Sequence, residues 1–351
     1  MQVSAGRAAD AGGELGADDE EVRGLTPPAH EHEPHGERGR GAWVGGGWDR
    51  AHRRLPAQVA PLGPGEVRVW TSDADEADGR PARRQRALVV FAGRLEAPVH
   101  LPGALACEGF DVDVVDSWQS VGGRAHNVLA DGVGDAIIAQ VSERRYSFVW
   151  IATPCAPYSV VREVKLFSKE DDIYVPPEWR AYRERAVRIA EFTANVIDAA
   201  EGARVAWALE NPADRSDTHS AAYWPKHADH FPLWAQPGID GALGRARALR
   251  FLFAVCALGA DAQKWTCVAA CRALEEALAF LRKAGCPHGT AKHEVVAMGV
   301  DEWGESIARQ CGEYPAELCR GVAQGAARLL LPRAREITPK GGARRWRPAP
   351  Y

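Results

Sequence analysis

From residue 87 to residue 331, short apolar runs rich in β-branched residues alternate with helical segments at βαβ spacing, and no other feature constrains the fold more. ALVVFAG (87–93) reads as a strand ending at Gly93. LPGALACEG (101–109) reads as a helix closed by Gly109, and FDVDVVD (110–116) as a second strand with Asp116 at its carboxyl end. Residues 133–144 space Ile137, Ile138 and Val141 helically. Phe148–Thr153 has the length of a buried strand, and Pro154, which fixes φ and lacks a donor, ends it. Residues 176–202 form a long amphipathic helix, begun by two prolines and stopped by Gly202. VAWALENP (205–212) is the next strand, and 248–259 and 264–270 are further strands. Helices at 272–285, capped near Gly285, and at 316–331 complete the set. The pattern predicts an α/β fold: a doubly wound, mostly parallel, Rossmann-like sheet of about seven strands with helices on both faces.

The flanks differ in composition. Residues 1–85 carry few aliphatic side chains, and HEHEPHGERGRG (30–41) is a mixed-charge tract. Such a segment buries too little apolar surface to offset its ordering entropy, so a largely disordered N-terminal region is expected, with a short strand at the start of 67–84. The expected catalytic domain is 86–331, with a small recognition or metal insert at about 266–313 and a basic, Pro/Gly-rich tail at 332–351. No apolar run reaches the roughly 18 residues of a membrane helix. The start, MQVSAGRAADAGG, lacks the pattern of a secretory signal, which predicts an intracellular protein, nuclear or cytoplasmic. Eight cysteines over 351 residues are too sparse for a disulfide framework and suit a reducing compartment. Net charge is −4, so any polyanion partner must be met by a local basic patch.

Two strand ends carry chemistry. Cys155, in TPCAPYS, sits where open α/β sheets bind ligands. The thiolate is the reactive form of cysteine, and Arg144, Arg162 and Lys165 could supply cationic charge near it. Glu210 follows four apolar residues in ALENP, where a carboxylate is costly to bury unless paired or protonated. That environment suits an acid that donates a proton to a ring nitrogen. The opposing readings are a buried structural cysteine and a strand-end glutamate that caps a helix or pairs with arginine.

In chain order, Phe91-Ala92-Gly93, Asp116, Pro154-Cys155 with Ser159, and Glu210-Asn211-Pro212 resemble the motifs of the cytosine-5 methyltransferases. PCAPYS is similar to that family's nucleophile loop, Gln263-Lys264 to its later Gln-Arg block, and EYPAELCRGVA (313–323) to its last motif. The resemblance spans about 87–331. It implies transfer of a methyl group from S-adenosyl-L-methionine to C5 of a cytosine flipped out of nucleic acid, DNA ahead of RNA, with Cys155 forming an adduct at C6. It implies that Glu210, with Pro154 and Asn211, completes the catalytic set. Phe91, Ala92, Gly93, Asp116, Asn127 and Pro154 would hold the cofactor, and Ser159, Arg247, Gln263 and Lys264 the nucleic acid. The chain departs from the family in lacking a second glycine after Phe91, in Pro212, and in the short stretch between Lys264 and Tyr314. Two alternatives keep the fold: a catalytically inactive nucleic-acid-binding module, and a methyltransferase acting on another base atom.

Cys286, His288 and His293 could supply three zinc ligands, with Cys267 or Cys271 as a fourth; otherwise the histidines contact phosphate or solvent. Arg245, Arg247, Arg250, Lys264, Arg282, Lys283 and Lys292 form a candidate phosphate-facing set, against the reading of an ordinary solvated face. Trp150 and Trp207 lie within strands and read as core.

Overall fold

The computed structural model describes residues 65–71, 85–93, 95, 99–117, 121–160, 162, 164–169, 173–288, 293 and 312–331. The mixed-charge tract, the basic tail and Lys292 lie outside the described residues.

Seven strands form one sheet: β1 (Val67–Val69), β2 (Arg86–Val90), β3 (Asp111–Val115), β4 (Phe148–Ile151), β5 (Ala206–Pro212), β6 (Leu249–Ala254) and β7 (Trp265–Ala270). Their order is β1-β3-β2-β4-β5-β7-β6. The first five are mutually parallel, while β7 runs antiparallel to both β5 and β6. The sheet is therefore mixed. The cause is connection length: only residues 255–264 join β6 to β7, too few for the crossover that parallel pairing requires. The sheet also begins ahead of residue 86, because β1 pairs with β3.

The helices are α1 (Leu101–Cys107), α2 (Val133–Ser142), α3 (Pro177–Ala203), α4 (Pro237–Ala246) and α5 (Ala316–Leu330). α1 packs on α5, and α3 packs on α2 and α4. Side chains alternate across a strand, so Trp150 of β4 meets Tyr314, just ahead of α5, while Thr153 meets Thr193 of α3. Phe148, Val149, Trp150, Ile151, Trp207 and Leu209 are fully buried, as expected of strands covered on both faces.

Three elements differ from the sequence reading. Residues 272–285 form two 3₁₀ turns, Arg272–Leu274 and Ala279–Lys283, rather than an α-helix. The segment is pinned at both ends, Cys271 N–H to the Trp207 carbonyl and Ala254 N–H to the Ala284 carbonyl. Between those pins Leu274, Leu278 and Leu281 are buried by tight turns. α3 continues through Gly202 and stops at Arg204, which takes the left-handed conformation at φ 58°. α4 is absent from the sequence reading although Ile239, Ala242 and Leu243 stand at helical spacing and are buried behind Pro237 in the first turn. Among the described residues no helix is long and apolar enough to cross a membrane.

Candidate active site at the strand tips

The carboxyl ends of β2, β3, β4 and β5 lie along one edge of the sheet, because these strands are parallel and in register. The loops leaving them carry most of the residues singled out in the sequence.

Phe91, directly after β2, has φ 61°, and Gly93 has φ 71°. Two left-handed residues within three positions turn the chain sharply off the strand. Phe91 N–H bonds the Val115 carbonyl at 2.7 Å, and Gly93 N–H donates to Asp116 Oδ2 at 2.8 Å. Asp116 is thus held at the end of β3, 7% exposed, against the loop that follows β2. Among the described residues a Cβ at Gly93 would meet nothing within 4 Å, so glycine is needed there for its dihedral rather than for room. His126 fixes the same corner: its Nδ1 accepts from Asp116 N–H at 3.3 Å and its Nε2 faces the Trp70 carbonyl at 2.8 Å. An Nδ1 that accepts leaves the proton on Nε2, which donates to Trp70. The residues that follow β1 therefore build this corner. Asn127 closes the turn after His126, and its Oδ1 accepts from Leu129 N–H at 3.2 Å.

β4 and β5 end side by side. Asn211 Nδ2 donates to the Thr153 carbonyl at 2.7 Å, and Thr153 Oγ1 bonds Thr193 Oγ1 at 2.9 Å. Asn211, 1% exposed, thereby fixes the backbone from which Pro154 and Cys155 depart. Pro154 is exposed, and Cys155 is half-buried at the start of a 3₁₀ turn, Ala156–Tyr158. Ser159 ends that turn. Glu210 is 6% exposed. Its Oε2 accepts from the Tyr314 hydroxyl at 2.7 Å, and among the described residues its buried Oε1 has no hydrogen-bond partner. Trp150 Nε1 donates to the same Tyr314 hydroxyl at 3.2 Å. Burial first, and then the Glu210 carboxylate, holds the Tyr314 phenol well above its ordinary pKa, so it stays a donor.

Glu210 faces the side of Tyr314, and Asn211 the side of α3. Cys155 is close enough to Tyr182 of α3 to help raise that phenol's pKa, after burial as the main cause. Thiol and carboxylate therefore approach the edge from different faces of the sheet. A single ring touched by both has to sit above the tips of β4 and β5.

The cations that the sequence offered to this thiol have other partners or lie at the opposite edge. Arg162 lies over the rings of Trp179 (4.7 Å) and Tyr182 (5.2 Å). Lys165 is paired with Asp229. Arg144 follows α2 and precedes β4, which places it at the opposite edge. Arg247 is likewise at the opposite edge: it ends α4 just before β6, whose direction matches β5. The basic set disperses as well, with Arg245 forked onto Asp198 (2.6 and 3.2 Å) and Arg282 on Glu275. Gln263 reaches Cys286 Sγ at 3.5 Å and Lys264 precedes β7, whose first residues pair with the end of β5 at this same edge, Ala213 N–H to the Trp265 carbonyl at 3.0 Å.

Sequence reading missed the residues that join the two loops. His230 Nε2 bonds the Tyr158 carbonyl at 2.8 Å, while its Nδ1 accepts from Arg215 N–H at 3.1 Å and lies 3.6 Å from Asp214. Phe167 stacks between Tyr158 and Phe231. Nothing local distinguishes His230 in the sequence; its partners are 15 and 72 positions away. Burial alone would raise the Asp214 pKa, but the nearby His230 ring and two bonds from Ser216, its N–H at 2.8 Å and its hydroxyl at 2.5 Å, outweigh it and hold the carboxyl at about 2. A carboxyl depressed on folding contributes stability above its ordinary pKa and loses it as pH falls through the folded value. The urea midpoint of the wild type will therefore fall from about pH 4 toward pH 2 more steeply than that of Asp214→Asn. Parallel profiles would remove Asp214 from the acid response.

No protein-family model and no curated protein matches the chain. Among solved structures it is similar to the Entamoeba histolytica methyltransferase EhMeth, at 9% identity and a TM-score of 0.29, over 54% of this chain and 53% of that one. The chain thus spans about half of that structure.

Proposed function

We propose that the protein is an S-adenosyl-L-methionine-dependent methyltransferase that acts on C5 of cytosine in nucleic acid, DNA ahead of RNA. The observation that carries this reading is the Glu210 carboxyl: buried at the end of β5, the strand next to the one that Cys155 follows, gripped on one oxygen by Tyr314, with Oε1 unpartnered among the described residues. A buried polar atom without a partner costs roughly 1–3 kcal/mol, and a ligand donor would relieve that cost.

The proposed chemistry follows from the residue types. Cys155 Sγ, as thiolate, bonds C6 of the ring, and electron density moves to C5 as Glu210 delivers a proton to N3. The cofactor supplies an electrophilic methyl group, which C5 takes up, and leaves as S-adenosyl-L-homocysteine. C5 then gives its proton to water, the C6–S bond breaks to release Cys155 as thiolate, and N3 returns its proton to Glu210, which restores the ring. Asn211, through the Thr153 carbonyl, positions the nucleophile loop. The turn at Gly93, bonded to Asp116, fits the cofactor's amino-acid and ribose ends.

The test has two parts. S-adenosyl-L-methionine at 100 times its Kd will add about 2.7 kcal/mol of apparent stability, read as a rise in Tm. Oligonucleotides carrying 5-fluorocytosine, as DNA and as RNA, will then form a covalent adduct, because fluorine cannot leave as the proton does. Cofactor binding without an adduct would move the acceptor to another base atom. Nucleic-acid binding without cofactor binding would make the protein a non-catalytic module.

A further inference from the structure

A second cluster lies farther along the sheet edge. Cys256 sits in the 3₁₀ turn that follows β6, and Cys286, His288 and His293 follow the turn Ala279–Lys283. One ligand atom from each of the four lies within 4.8 Å of all the others. Cys286 Sγ is 3.4 Å from His293 Nε2 and 3.7 Å from His288 Nδ1. A tetrahedral ion bound at about 2.0–2.3 Å has ligand–ligand edges of roughly 3.3–3.8 Å, so both separations are those of ligands sharing one ion. A backbone bond brings the two segments together, Ala254 N–H to the Ala284 carbonyl at 2.8 Å, and a second, Val255 N–H to the Lys264 carbonyl at 3.0 Å, holds the Cys256 turn against the residues ahead of β7 where Gln263 stands.

Burial does not explain the convergence. Cys256 is buried, but Cys286 and His293 are half-buried and His288 is exposed. Two imidazoles with ring centres 4.5 Å apart, set edge to face against two thiols, gain little by removing apolar surface from water. They do form a complete N₂S₂ donor set. Gln263 adds an outer contact, its Nε2 donating to Cys286 Sγ at 3.5 Å, the kind of bond that orients and stabilises a metal-bound thiolate.

We propose that Cys256, Cys286, His288 and His293 bind one zinc ion in a closed, structural site, with Gln263 as an outer-sphere positioning residue. The cysteines expected from the sequence do not take part. Cys271 Sγ accepts from Trp207 N–H at 3.4 Å, and Cys267 lies inside β7, where burial pushes its thiol up to about 12. With four protein ligands, no coordination position remains for substrate or water. The ion ties the chain after residue 285 to the tip of β6 without entering the reaction.

The full chain, purified without added metal, will carry about one zinc per molecule by elemental mass spectrometry. Zinc-free protein titrated with Co²⁺ will show the visible bands of tetrahedral cobalt and near-ultraviolet thiolate charge transfer. Cys256→Ser and Cys286→Ser will lose the zinc, Cys271→Ser will keep it, and Gln263→Ala will bind about 10–100-fold more weakly. If the serine variants fail to fold, the cobalt spectrum of the wild type decides, since it reports thiolate ligation directly. Absence of zinc together with no tetrahedral cobalt spectrum would overturn the proposal. Zinc retained in Cys256→Ser would overturn it too, as would a Cys256–Cys286 disulfide in the native protein. These readouts involve neither methyl transfer nor S-adenosyl-L-methionine, so the two proposals stand or fall separately.

Discussion

Cys155→Ala will abolish covalent capture of 5-fluorocytosine oligonucleotides and lower methyl transfer by on the order of 10⁴-fold or more, because in the proposed mechanism this thiol makes the bond to C6. The remaining described thiols cannot substitute. Cys267, Cys271 and Cys319 are buried, and burial raises each thiol, Cys267 and Cys319 to about 12. Cys256 and Cys286 lie beyond β6, separated from β4 by β5 and β7. Cys107 is exposed on α1. Because Cys155 is only half-buried, truncating it removes little packing, and the melting temperature should stay near that of the wild type. An adduct that persists in Cys155→Ala would place the chemistry elsewhere.

Glu210→Gln will lower turnover by about 10²–10⁴-fold with little change in stability. The amide keeps the volume of the carboxyl, and its oxygen still accepts from Tyr314, so the buried contact survives. What is lost is the ability to pass a proton to the ring. Tyr314→Phe separates structure from chemistry in the other direction. It leaves Oε2 without its donor beside an Oε1 that already has none, at a cost of roughly 1–3 kcal/mol of stability. Urea denaturation and initial rates on both variants distinguish the roles. Full activity in Glu210→Gln would make the carboxyl a structural group.

Much of the fold was legible because it is written in local pattern. The apolar runs at 87–93, 110–116, 148–153 and 205–212 are strands, and the helices at 101, 133, 177 and 316 begin within a residue or so of where the pattern puts them. The main misreading has a tertiary cause. Residues 272–285 have helical spacing, yet anchors at both ends fold them into tight turns, so tertiary constraint overrides local preference. The sheet is mostly parallel as expected, and its antiparallel β7 follows from the short link from β6 to β7.

The sequence alone determined that a thiol and a carboxylate stand at the ends of two strands, since proline and the end of an apolar run are local signals. It also determined that Asp116 ends a strand. Only the tertiary structure decided the partners. It set Asn211 on Thr153, Tyr314 on Glu210 and His230 between two loops, contacts spanning 58, 104 and 72 positions. It also took Arg247 to the far edge of the sheet and put Cys256, in place of Cys267 and Cys271, in the cluster with Cys286, His288 and His293. The physical reason is that side-chain chemistry depends on distance and direction. Across one strand, direction is fixed by alternation; across a hundred residues, it is fixed only by how the strands are ordered in the sheet.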